Sequence, residues 1–170
     1  MDLIDELRAA ARRIPTMGGR VAPEPVASAA EVAEFEARVG RPLPPLWRRV
    51  YSEVGNGGFG PGYGLLGLVT GARTDEGKSA AEFVELLQQS DPDDPGWAWP
   101  DGLVPVCHWG CAIYSCLDLR SAAAPVVRFD PNGHGTQEGW DGAWWAEAET
   151  SGAWLRAWAE GRLAFESPAG

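Results

Sequence analysis

The sequence predicts one domain in which helices and strands are segregated along the chain, and three observations carry that prediction. Its 170 residues, 45% of them hydrophobic, are enough to bury one sizeable core. Amphipathic helical patterns fill the first half and the closing stretch. Between them "LVPVCHWG", "CAIYSCLDL" and "PVVRFD" are three β-rich runs separated by turn signals, and they build most of a sheet.

In chain order, Leu3, Ile4, Leu7 and Ala11 have helical spacing, and the prolines and glycines of "IPTMGGRVAPEPVAS" then break the periodicity into a linker. Ser28 followed by Glu31 forms a capping box for a helix whose apolar face is Val32, Phe35 and Val39, stopped by Gly40. In "RPLPPLWRRVYSEVGNGG" the prolines suit a first helical turn. Leu46, Trp47, Val50, Tyr51 and Val54 share one face, while Arg48 and Arg49 face water. The glycine run ends that helix and leads into "YGLLGLV", a short strand. Ser79 and Glu82 cap a further helix through Phe83, Val84, Leu86 and Leu87, which the acidic loop "SDPDDPGWAWPDG" ends. "WGC" is short enough to join the first two β-rich runs as antiparallel neighbours. "PNGHGTQEGWDG" is a loop, and "SGAWLRAWAEGRL" closes the chain as a helix with Trp154, Leu155 and Trp158 on one face.

Gly55-x-Gly57-x-x-Gly60 has the spacing of a pyrophosphate-binding loop, but that chemistry needs a strand before the glycines and a helix after them. Here the order is reversed, so no cofactor is expected. The turn has a structural role, with Gly57 or Gly58 at positive φ. Cys107, His108, Cys111, Cys116 and, farther on, His134 are zinc-ligand types without the paired knuckles of a zinc site. The three cysteines are expected to be reduced, and no metal is expected. Ser115 and Cys116 are candidate nucleophiles, but no G-x-S-x-G elbow is present and Ser115 falls inside a strand. Asp130, Glu138 and Asp141 could pair as acid and base, although loop carboxylates are ordinarily hydrated. No catalytic residue is assigned.

Charge is more informative. The net charge is −10; residues 1–78 hold ten acidic and ten basic side chains, residues 79–170 fourteen acidic and four basic. No Lys or Arg occurs between Lys78 and Arg120. Such a surface repels nucleic acid and attracts a basic partner, or else is simply a solvated acidic face that keeps the protein soluble. No window approaches the roughly 18 apolar residues of a membrane span, and "MDLIDELRAAARR" is charged and amphipathic, so a cytoplasmic protein with no membrane partner is expected. Trp47, Trp154 and Trp158 belong to apolar helical faces, whereas Trp97, Trp99, Trp140, Trp144 and Trp145 lie in or beside acidic, glycine-rich loops. Aromatic anchors within an acidic rim suit a basic protein, and the alternative is that these tryptophans cap the core under long loops. The predicted contact surface is Asp91, Asp93, Asp94, Trp97, Trp99 and Asp101, with Glu138, Trp140 and Asp141 as a second patch.

The order of segments resembles the SUKH superfamily, which includes fungal cell-wall-assembly regulators and many bacterial immunity proteins. The matching stretches are "EVAEFEARVGRPLPPLWRRVYSEVGNGGFG", "GLLGL", "LVPVCHWGCAIYSCLDL", "PVVRFD" and "AWLRAWAEG", between Ala27 and Leu163. Leu43-Pro44 through Asn56-Gly57-Gly58 is their most specific part, and the strands with Cys116-Leu117-Asp118 come next. The resemblance implies an α+β fold with a central, mainly antiparallel sheet and helices packed against it. It divides the chain into a helix and linker over 1–26, the domain over 27–165 and a tail over 166–170. It also implies a non-catalytic binding role, commonly neutralising a polymorphic toxin, often a nuclease. The alternative is a regulatory scaffold with no toxin partner. The Gly/Pro linker before Ser28 and the Trp-rich loop after Asp130 depart from the family pattern.

Overall fold

The computed structural model describes residues 1–133 and 139–163. Five helices, α1 (Leu3–Arg13), α2 (Ala29–Val39), α3 (Pro45–Arg49), α4 (Ala80–Leu87) and α5 (Ser151–Ala159), accompany a five-stranded sheet, on which α4 and α5 pack directly. Its strands are β1 (Gly64–Leu65), β2 (Leu103–Gly110), β3 (Ile113–Asp118), β4 (Val126–Phe129) and β5 (Trp144–Ala148). They lie in chain order and every neighbouring pair is antiparallel. The architecture is α+β.

Local chemistry explains most element boundaries. Ser28 Oγ accepts from the Glu31 N–H at 3.1 Å to start α2. Ser79 and Glu82 make both halves of a capping box on α4. Of the predicted α4 face, Phe83 and Val84 are buried and Leu87 is half-buried, but Leu86 is exposed, while Ala80 and Ala81, outside that prediction, are buried too. The stripe centred on Ala80, Val84 and Leu87 leaves Leu86 on its far side. After α3 the backbone widens into one π-helical turn, Val50–Val54, with Trp47, Val50, Tyr51 and Val54 buried. The Tyr51 hydroxyl donates to the Leu66 carbonyl at 2.9 Å and so ties this stripe to the segment beyond the glycines.

The sheet departs from the sequence pattern at both edges. The strand predicted over "YGLLGLV" contracts to two residues. Its backbone groups are taken by turns: the Leu65 carbonyl accepts from the Gly58 N–H, and Gly67 N–H donates to the Ala72 carbonyl. At the other edge β5 was not predicted, because Glu147 and the alanines give it no period-two apolar signal. Glu147 points inward. Its two oxygens accept from Arg128 at 2.6 and 3.0 Å, and it also accepts from Ser115 Oγ at 2.7 Å and Trp154 Nε1 at 2.9 Å. Arg128 and Glu147 have side chains only 2% and 9% exposed, and the guanidinium lies 4.4 Å from the Trp109 ring centroid. A charge pair this deep stands because each partner is multiply hydrogen-bonded.

β2 and β3 turn over through Cys111 and Ala112, with φ of 52° and 60°, a two-residue hairpin whose hand matches the strand twist. Cys111 is therefore an exposed turn residue rather than a strand residue. Cys107 and Cys116 are buried in strands, where burial pushes both thiols well above their ordinary value.

The N-terminal stretch shares this core. α1 packs on α5 and the π-helical turn, with Ile4, Leu7, Ala10 and Ala11 buried. The linker after it is stitched to the glycine turn by Met17 N–H to Gly62 O (2.7 Å) and Glu24 N–H to Gly57 O (2.9 Å). Gly57 and Gly58 both have φ near 80°, and a Cβ on Gly57 would lie 2.5 Å from the Leu65 carbonyl oxygen. The glycines thus let three backbone segments meet.

Candidate functional site

Four strands carry one aromatic side chain each to the same row: His108 on β2 pairs with Tyr114 on β3, Tyr114 with Phe129 on β4, and Phe129 with Trp144 on β5. Alternation across the pleat puts paired residues on one face, so the row crosses the sheet. Phe83 of α4 covers Tyr114 at a centroid distance of 4.6 Å. Trp97, Trp99 and Trp140 cover the other end: Trp99 lies 5.4 Å from Phe129 and 5.0 Å from Trp144, and Trp97 meets Trp140 edge-on at 4.7 Å. Offset and edge-on contacts of this kind add about 0.5–1.5 kcal/mol per pair beyond area burial.

Each indole N–H in the acidic loop is used. Trp97 Nε1 donates to the Leu87 carbonyl at 3.0 Å, fixing the loop to the end of α4. Trp99 Nε1 donates to the Leu103 carbonyl at 2.9 Å. Trp99 is only 7% exposed and belongs to the core, so it is a support for the surface rather than a contact on it. Trp140 Nε1 reaches Asp94 Oδ2 at 2.7 Å. That bond joins two stretches 46 residues apart, so the two predicted patches form one surface.

The carboxylates divide by role. Asp94 is a clamp, with its other oxygen accepting from the Gly96 N–H at 3.1 Å. Asp91 Oδ1 accepts from the Asp93 N–H at 2.9 Å and shapes the turn while remaining exposed. Asp93 and Asp141 are exposed, and neither they nor Asp91 meet an Arg or Lys among the described residues. Asp101 differs from the expectation of an unpaired loop carboxylate: Arg41 arrives from 60 residues earlier and bonds it at 2.6 Å. That guanidinium holds the Asp101 carboxyl below its ordinary value. Glu138 and His134 lie outside the described residues.

The other chemical candidates are accounted for in the interior. Ser115 is fully buried, accepting from Trp109 Nε1 at 2.8 Å and donating to Glu147, an arrangement that orders the sheet rather than activating a nucleophile. Among the described residues no group of three or more His, Cys, Asp or Glu is placed to hold a metal. An apolar groove of about 350 Å³ between α2 and α3 is lined by Ala29, Val32, Ala33, Glu36, Arg48 and Ser52, far along the chain from the acidic loop.

Sequence reasoning missed a second carboxylate hub. Glu31, read as half of a capping box, caps nothing with its carboxylate. Oε1 accepts from Asn56 Nδ2 (2.9 Å) and from the backbone N–H groups of Val69 (3.1 Å) and Thr70 (2.7 Å), with the Thr70 hydroxyl at 3.0 Å. Asn56 Oδ1 accepts in turn from the Leu68 N–H at 2.9 Å. This joins the start of α2 to the glycine turn and the segment behind it, and accounts for Asn-Gly-Gly as a unit.

A family model described as SMI1 / KNR4 family (SUKH-1) matches residues 26–157. The chain belongs to this family. No curated protein matches it. The matched SUKH-1 region contains the Glu31 and Asn56 hub, the four longer strands and both acidic loops, while α1 and most of the linker precede it. No helix among the described residues is long and apolar enough to cross a membrane.

Proposed function

We propose that this SUKH-1 protein is a non-catalytic binding protein of the immunity type, which neutralises a toxin by holding a basic face of it against the joined acidic loops. The observation that carries this reading is the Asp94 to Trp140 hydrogen bond. It fixes Asp91, Asp93 and Asp141 over a tryptophan-packed base, with no Arg or Lys paired to them among the described residues. Half-buried Trp97 and Trp140 supply the anchor type that dominates interface energies, and the free carboxylates supply steering. A cytoplasmic setting and a nuclease as the toxin follow from the same reading. The family membership and the interior placement of Ser115, Cys107 and Cys116 support a role without catalysis.

The test is co-expression with the product of the neighbouring gene, followed by association kinetics across a salt series. Asp91, Asp93 and Asp141 changed together to Asn should slow association several-fold at low salt and flatten its salt dependence. Unfolding free energy should stay within about 0.5 kcal/mol of the parent. Asp94 is left intact because it clamps Trp140. Trp97→Ala should instead speed dissociation. If association is untouched by the carboxylate changes and is altered by charge changes around α2 and α3, the acidic surface is not the binding face. A chain with no toxin gene beside it and no such partner would be the regulatory scaffold.

A further inference from the structure

The far end of the aromatic row holds a second group of charges that the tryptophan surface does not reach. Tyr63, just before β1, lies 5.4 Å from His108, and His108 stacks on Tyr114 at 5.2 Å with ring planes 23° apart. The Tyr63 ring rests against Gly110, where a Cβ would come within 3.0 Å of it, with Gly18 also beside the ring, and the residue stays 47% exposed. Above this stack a tight turn presents Asp75 and Glu76, both exposed. Thr74 holds the turn, its N–H donating to the Lys78 carbonyl at 2.9 Å and its hydroxyl accepting from the Lys78 N–H at 3.1 Å. Arg73 is turned away, bonded to Glu82 and the Gly77 carbonyl.

Two interior polar groups face these carboxylates without a hydrogen bond among the described residues. His108 is 6% exposed, and Asp75 Oδ2 lies 3.8 Å from its Nε2. Tyr114 is 3% exposed, and its hydroxyl has no hydrogen-bond partner among the described residues. Burial raises its phenol above the ordinary value, and the Glu76 and Asp75 charges add to the rise. Both side chains are almost wholly interior, yet neither polar tip is a sealed, unpaired atom, so both tips are open to a group that arrives at this turn.

We infer that Asp75, Glu76, Tyr63, His108 and Tyr114 form a recognition site for an arginine side chain of the partner. The guanidinium stacks on the exposed part of the Tyr63 ring and forks to the two carboxylates, and its remaining N–H groups reach the imidazole nitrogen and the phenol oxygen. A planar, weakly hydrated cation with five donors suits stacking and forked contact together. An ammonium suits only the charge. The inference rests on the partner being basic, but on neither Asp91 nor the tryptophan loops.

The test needs no toxin. N-acetyl-arginine methylamide is titrated into the full-length protein and followed by the ring resonances of Tyr63, His108 and Tyr114. The expected result is a saturable shift of those rings, with an affinity on the order of millimolar and weaker binding by the lysine analogue. Asp75→Asn with Glu76→Gln should weaken it about tenfold, the combined effect of two exposed ion pairs. Tyr114→Phe, which keeps the packing and removes only the hydroxyl, should weaken it without lowering the melting temperature. Absence of saturation, an unchanged affinity in the double variant, or equal binding of the lysine analogue would overturn the site. These readouts stand apart from the kinetics at Asp91, Asp93 and Asp141, so either reading can fail alone.

Discussion

Along the helices and the segments that lead into them, Arg8, Arg20, Arg38, Arg48, Arg49 and Arg73 each hold a carboxylate at 2.6–2.9 Å. On the aromatic side of the sheet, Asp91, Asp93 and Asp141 have no Arg or Lys to pair with among the described residues, and neither do Asp75 and Glu76. The effect of the net charge of −10 therefore depends on where the charges sit as well as on their number. The first surface is satisfied by its own side chains, whereas the second keeps its field for a partner. The sheet side does have one arginine deep inside, Arg128, and it serves the core.

The sharpest way to break this contrast is to remove that arginine. Arg128→Met leaves Glu147 buried without its counter-charge and should cost about 3–5 kcal/mol in a urea titration. Adding Glu147→Leu should restore part of the loss but not all, because Trp154 Nε1 and Ser115 Oγ then lose their acceptor. Full additivity of the two changes would mean that the pair is not a unit.

A middle-sized effect separates two residues of the glycine turn. Both Gly57 and Gly58 sit at positive φ, but a Cβ on Gly57 meets backbone of Leu65, Leu66 and Gly67, whereas one on Gly58 meets only the movable Arg20 side chain. Gly57→Ala should destabilise by at least about 2 kcal/mol, and Gly58→Ala by roughly 1 kcal/mol. Calorimetric melting of the two variants distinguishes them, and equal losses would remove the close approach as the cause.

The smallest effect is an acid-sensitive one at Glu31. Burial raises its carboxyl, but the hydrogen bonds from Thr70, Asn56 and Val69 outweigh that and hold it below its ordinary 4.5. The folded state then binds its proton less readily than the unfolded chain, so this contribution is complete above 4.5 and is lost as pH falls through the lower folded value. Glu31→Gln should flatten the difference in urea midpoint between pH 6 and pH 3, relative to the parent. Parallel profiles would show that the neutral donors do not favour the ionised form.

Much of the frame was legible in local sequence. Ser28, Ser79 and Gly40 mark helix ends because capping is a short-range matter. "WGC" marks a hairpin because so few residues leave no other route. The glycine run was readable as a turn because helix precedes it and strand follows. Contacts between distant segments were not legible. β5 escaped because its inward glutamate is stable only with Arg128 across the strand. Asp101 looked unpaired because Arg41 is 60 residues away, and Glu31 looked like a capping residue because its donors lie 25 to 39 residues on. Trp99 looked like a surface anchor because an acidic loop surrounds it in sequence, although in space Phe129 and Trp144 enclose it.

By itself, then, the sequence determined the helix ends, the hairpin, the family and the surplus of negative charge, since these depend on near neighbours or on composition. Tertiary structure alone decided which carboxylates are neutralised, which tryptophans are interior, and that two acidic stretches form one surface. Charge and aromatic contacts act over a few ångströms in space, and folding sets those distances with little regard to separation along the chain.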